Sequence, residues 1–153
     1  MLPYIIDGLD QNKYYACIDE CWRGSFAGPV CAGVVIWDPN YKPKNDSDKE
    51  MLELVNDSKK LTPKKREKVA TFIKDNAIDY HISAISSDII DEINILEATY
   101  KAMHAALDNI KFDYDSIDHI LVDGDKFKSY YNNGNKMNHK CIVKGDSLVF
   151  GIA

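Results

Sequence analysis

The chain has 153 residues, 45% of them hydrophobic, and a formal net charge of −5. That length suits one domain with a single core, and no stretch approaches the roughly 20 consecutive apolar residues of a membrane span. The amino terminus also lacks the charged-then-apolar pattern of a secretory signal, so a cytoplasmic location is expected.

In chain order, the first predicted strand runs from about Tyr14 to Glu20. Gly24, Gly28 and Pro29 punctuate a turn, and a second strand follows from Val30 to Trp37, rich in β-branched residues. The two read as a hairpin-like pair. Asp38 to Glu50 carries Pro39, Pro43 and several polar residues and reads as a surface loop, with a short helix from Lys49 to Val55. Thr62-Pro63 starts a helix, because the Thr hydroxyl caps free amides and Pro suits the first helical position. That helix should reach about Asp75 and bury Val69, Phe72 and Ile73. Ile78 to Ser86 alternates as a third strand, with Ile78, Tyr80, Ile82 and Ala84 on one face.

Ser87 or Asp88 is expected to cap a helical turn. Asn94 to Ile110 then forms a longer helix whose apolar positions are Ile95, Ala98, Ala102, Ala105, Ala106 and Leu107. His119 to Asp123 and Lys140 to Lys144 are the fourth and fifth strands, separated by a polar loop insertion from Tyr130 to Asn138. Tyr130 and Tyr131 in that loop suit either local packing or stacking on nucleic acid. Strands followed by helices alternating with strands give an α/β domain, a mixed sheet with helices on its faces. Cys17, Cys21, Cys31 and Cys141 have no paired metal-ligand spacing and read as free thiols, and the four histidines are equally scattered.

Acids close three of the apolar runs: Asp19-Glu20 after the first strand, Asp123 after Ile120-Leu121-Val122, and Asp146 after Cys141-Ile142-Val143-Lys144-Gly145. A carboxylate at a strand tip is costly unless it is solvated, paired or metal-bound. If these acids converge, a hard, oxygen-ligated divalent cation is their natural partner, magnesium or manganese before zinc. The negative net charge does not exclude a nucleic-acid partner, because charge distribution matters more than its sum. Between Asp57 and Lys68 stand Lys59, Lys60, Lys64, Lys65, Arg66 and Lys68 against Asp57 and Glu67, a locally basic segment or simply a solvated helix face.

The same residues carry a resemblance. The blocks are Asp19-Glu20-Cys21-Trp22-Arg23-Gly24 with Ala27-Gly28-Pro29-Val30, Asn56-Asp57-Ser58-Lys59-Lys60-Leu61, and Asp91 to Thr99. Leu121-Val122-Asp123-Gly124 and Val143-Lys144-Gly145-Asp146-Ser147 complete the set. In this order they resemble the signatures of type 2 ribonucleases H, the ribonuclease HII family. The resemblance implies a ribonuclease H-like fold: a mixed five-stranded sheet flanked by helices, one catalytic domain over residues 1–153 that lacks the family's C-terminal helices. It implies an endonuclease that hydrolyses the RNA strand of RNA–DNA hybrids and cuts at ribonucleotides embedded in DNA duplexes, leaving a 5′-phosphate and a 3′-hydroxyl. The alternative is a shortened, weakly active or non-catalytic hybrid-binding relative.

By the same resemblance Asp19, Glu20, Asp123 and Asp146 form a catalytic tetrad holding two divalent cations, Mn2+ or Mg2+. Such ions, about 3.5–4 Å apart, activate water and stabilise the leaving oxygen. Arg23 and Gly24 belong to the turn that reads the 2′-hydroxyl, although Trp22 stands where the family has its first glycine. Lys59 and Lys60 are candidates for phosphate contacts or for steadying the catalytic carboxylates, while Asn94 and Thr99 are candidates for phosphate contacts, with Asn94 equally suited to capping a helix. The expected partner is an RNA–DNA hybrid or a ribonucleotide-containing DNA duplex, with no membrane and no obligate protein partner. Because the family continues into helices beyond the point matching Ala153, one flank is expected to expose apolar surface.

Overall fold

The computed structural model describes residues 2–4, 8–22, 28–56 and 58–153, excluding the side chains of Cys21, Trp22, Ser58 and Ser147. Its centre is β1 (Tyr14–Trp22), which pairs antiparallel with β2 (Val30–Ile36) on one side. On the other side it pairs parallel with β4 (Ile117–Asp123). β3 (Asp79–Ile85) joins the outer edge of β2 antiparallel, and β7 (His139–Ile142) joins β4 parallel. The sheet order is therefore β3-β2-β1-β4-β7, the mixed five-stranded sheet expected.

Alternation along each strand assigns the two faces. Ala16 and Ile18 of β1, Val30 to Ile36 at every second position of β2, and Ile120 and Val122 of β4 share one buried cluster. The helix α4 (Ile95–Asp108) covers that face with Ala98, Ala102 and Ala106 at four-residue spacing. Small side chains at this repeat let the helix approach the sheet closely, and Met103 and Leu107 fill the gaps beside them. The opposite face carries Tyr15, Cys17 and Leu121 against Ile142, Val149 and Ile152. Beyond it, Trp37, Val69, Phe72 and Phe150 form a third cluster, to which α1 (Asp46–Leu54) adds Leu52 and α2 (Pro63–Asn76) adds Val69 and Phe72.

Local chemistry explains where the elements differ from expectation. The first helix starts at Asp46 rather than Lys49, because the Asn45 side chain accepts the Asp48 amide at 2.8 Å. Thr62 caps α2 as expected, accepting from the Lys65 amide. The residue before α3 (Ser87–Ile93) is Ser86, with no side-chain capping bond, so neither Ser87 nor Asp88 is the cap. Tyr80 and Ile82 do share a face of β3, but it is the open one, 38% and 54% exposed. The loop from Tyr130 to Asn138 contains a small hairpin, β5 (Tyr131–Asn132) with β6 (Asn135–Lys136). Asn133 and Gly134 turn it with φ of 49° and 79°, the two positive values an Asn-Gly hairpin turn needs. Tyr130 is buried and its hydroxyl donates to Asp108 Oδ1 at 2.6 Å, which makes it a packing residue.

After β7, Lys144 takes a left-handed conformation (φ 57°) that ends the strand two residues early and turns the chain into α5 (Gly145–Leu148). The segment after α5 returns to the sheet so closely that a Cβ on Gly151 would lie 2.5 Å from Cys17 Sγ. Gly151→Ala is therefore expected to destabilise the chain by about 1–3 kcal/mol, the usual cost of overpacking, with Cys17→Ala recovering most of it in thermal melts. Equal melting of Gly151→Ala and wild type would refute this contact. Among the described residues no helix is long and apolar enough to cross a membrane.

Candidate metal centre

Parallel pairing is what gathers the acids. Ile18 of β1 is in register with Val122 of β4, so Asp19 and Asp123, one residue further on, emerge side by side from the same end of the sheet. Asp123 is in register with Ile142 of β7, and the turn at Lys144 brings Asp146 back over that end. One carboxylate oxygen from each of Asp19, Asp123 and Asp146 lies within 4.8 Å of the other two. This is the size of a gap that a single small cation can bridge, and all three donors are hard oxygens.

The electrostatics fit a cation too. Burial, then a hydrogen bond with the Glu20 carboxyl and the charges of Asp123 and Glu20, pushes the Asp19 carboxyl up to about 9. The Glu20 amide, donating to Asp19 Oδ1 at 2.7 Å, opposes that shift without cancelling it. Asp123 is also held above the usual carboxylate range, by burial first and then by the Asp146 charge. The amides of Gly145, at 2.7 Å from Oδ1, and of Asp146 pull the other way. Carboxyl groups that resist ionisation beside one another mark a place where positive charge is missing.

Glu20 is the one member of the expected tetrad outside the three-carboxylate set. It follows Asp19 on β1, where the ladder is irregular between Glu20 and Trp22, and its charge reaches both Asp19 and Asp123. Arg23 and Gly24 lie outside the described residues. Lys59 and Lys60 are exposed on a 3-10 turn (Ser58–Lys60) ahead of α2, whose Lys64, Lys65, Arg66 and Lys68 are exposed as well. Asn94 is exposed and caps α4, its side-chain oxygen accepting the Glu97 amide at 3.1 Å. Thr99 is buried, and its hydroxyl donates to the Ile95 carbonyl at 2.8 Å. A hydroxyl enclosed this way packs the helix and is not placed to meet a phosphate.

Sequence reasoning did not single out a cavity of about 310 Å³ beside the acids. Asp19 and Glu20 form one part of its wall, while Val35, Tyr80, Ile82 and Phe150 are among its apolar lining. The alternation Tyr80-x-Ile82 was the available signal, since it put large apolar groups on the face of an edge strand.

A mixed sheet in this order, with acids at one end of its central parallel pair, is the ribonuclease H-like fold. The crystal structure of ribonuclease H2 from Pyrococcus horikoshii OT3 has a TM-score of 0.63 at 24% identity, covering 87% of this chain and 64% of that one. Bst-RNase HIII, crystallised with Mn2+, has a TM-score of 0.69 at 14% identity over 92% of this chain and 48% of that one. Within this class the chain belongs to the ribonuclease HII family, whose family model matches residues 16–153. Ribonuclease HII of Cytophaga hutchinsonii is 44% identical over 143 residues, which are 94% of this chain and 63% of the relative. That of Christiangramia forsetii is 43% identical over 135 residues, 88% of this chain and 60% of the relative. The chain therefore spans 60–63% of the length of these curated relatives.

Proposed function

We infer that this chain is a metal-dependent endonuclease that hydrolyses the RNA strand of RNA–DNA hybrids and cuts at ribonucleotides within DNA duplexes, leaving a 5′-phosphate and a 3′-hydroxyl. The observation that carries this reading is the meeting of Asp19, Asp123 and Asp146 at one end of the sheet in a ribonuclease HII family member. These three residues would hold the cations, with Glu20 as a fourth carboxylate beside them. Six oxygens on three aspartates, with Glu20 in reach, are enough for two hard cations that keep several waters each. When bound, Mn2+ or Mg2+ lowers the pKa of water and stabilises negative charge on the leaving oxygen.

The chain's own contribution is positioning. Half-buried carboxyls on two neighbouring strands would set where the scissile phosphate lies, and a rigid sheet end holds them better than a loop would. Lys59 and Lys60 supply exposed positive charge for the phosphate backbone, and Asn94 supplies an exposed amide. Arg23 and Gly24 are assigned the reading of the 2′-hydroxyl, a group able both to donate and to accept hydrogen bonds. This assignment rests on the family signature.

Incubating the purified chain with an end-labelled hybrid plus Mn2+ or Mg2+ tests the reading. Cleavage of the RNA strand is expected, with loss of cleavage on chelation. Salt-sensitive hybrid binding without turnover in either metal would instead identify a non-catalytic binder.

A further inference from the structure

We propose that Gly145 is a positioning residue for Asp123, required as glycine so that its amide can hold one oxygen of that carboxylate while the other is left for a cation. This rests on the reading of Asp19, Asp123 and Asp146 as cation ligands. The Gly145 amide donates to Asp123 Oδ1 at 2.7 Å, and the Asp146 amide bonds the same carboxylate. One short turn thus carries a ligand of its own, Asp146, and two donors that fix the ligand on the neighbouring strand. A carboxylate has about four lone-pair sites, so the amides remove some and orient the rest.

A side chain at this position would press on two neighbours. A Cβ on Gly145 would stand 3.3 Å from Asp123 Oδ1 and 2.7 Å from Ile152 Cδ1. These contacts differ in kind. Ile152 Cδ1 is the end of a flexible side chain that packs the core. Asp123 is held by the amides on the residue being changed and on the next one, so any yielding there moves the ligand. A displacement of a few tenths of an ångström is of the order that metal sites register, and partners of ligating carboxylates typically change metal affinity about 10- to 100-fold.

The test separates the two contacts. Ile152→Val deletes Cδ1 alone, so the Gly145→Ala/Ile152→Val double variant keeps the new Cβ against Asp123 without the clash in the core. Mn2+ binding to the 153-residue chain is measured by electron paramagnetic resonance, and metal-free thermal melts are recorded alongside. The double variant is expected to melt with Ile152→Val yet bind Mn2+ about 10-fold more weakly. Equal Mn2+ affinity in the double variant and Ile152→Val would overturn the proposal and leave the cation-site reading intact. A wild-type chain that binds no Mn2+ would overturn both. Should the double variant fail to fold, the wild-type chain decides through a scalar coupling between the Gly145 nitrogen and the Asp123 Cγ in labelled protein. Observing the coupling supports the proposal, and its absence refutes it.

Discussion

Asp123→Asn is expected to lower hybrid cleavage by about 10³-fold while leaving the metal-free chain folded and more stable than wild type. Asn has the shape of Asp and keeps an oxygen that can accept the Gly145 and Asp146 amides, so the turn after β7 retains its anchor. What disappears is one negative charge among three carboxylates within 4.8 Å. Without cations that charge costs stability, as the raised pKa of Asp123 through burial and the Asp146 charge implies. With cations it contributes several kcal/mol of charge stabilisation at the transition state, and about 4 kcal/mol corresponds to three decades of rate. Opposite signs for stability and activity are the distinguishing outcome. Parallel melting and single-turnover assays check it, and a variant that lost both would show that Asp123 serves packing alone.

Metal-free wild type should lose stability as pH rises from about 5 to about 8, against the usual behaviour of acidic side chains. Asp19 titrates near 3.8 in an unfolded chain, whereas burial and its carboxyl neighbours push it up to about 9 in the fold. Between those values the unfolded chain has released the proton and the folded chain still holds it. Stability then falls with rising pH, because the folded state binds more protons. The Asp123 charge acts on Asp19, so the slope belongs to the pair, and comparison with Asp19→Asn isolates the part that needs Asp19. One proton held across three pH units sets a ceiling of about 4 kcal/mol, and because Asp19 is only partly buried the expected part is about half of that, roughly 2 kcal/mol. Saturating Mn2+ should remove the slope and add about 2.7 kcal/mol at a hundredfold excess over the dissociation constant, or roughly 5–10 °C in Tm. A metal-free wild-type pH profile that matches that of Asp19→Asn would refute the account.

The acids were legible in the sequence because each closes an apolar run, and strand tips are where a sheet presents polar groups. Their meeting was not, since it depends on β1 and β4 being parallel neighbours, which no local pattern encodes. The family signature supplied that step. Thr62-Pro63 gave its helix start almost to the residue, because cap and proline act within one turn. Asn45 acts equally locally, but it stood inside a polar stretch where several residues suit a cap. The hairpin at Asn133-Gly134 was missed although Asn-Gly is its known signal, because its strands are two residues long and carry no alternation. Thr99 shows the opposite error. Its place in a shared signature suggested contact with substrate, whereas in α4 it is buried with its hydroxyl donating to the Ile95 carbonyl.

The turn at Lys144 follows the fifth strand of the sheet in chain order, so it reaches the acids only after β1 and β4 have been made. Asp19 precedes Asp146 by more than 100 residues, so a growing polypeptide cannot offer an ion all three oxygens until β7 is in place. Capture of an ion is therefore a closing event, a latch fastened on a finished sheet and not a seed around which strands gather. Ion release should accordingly precede unfolding, and ions should slow unfolding more than they speed folding.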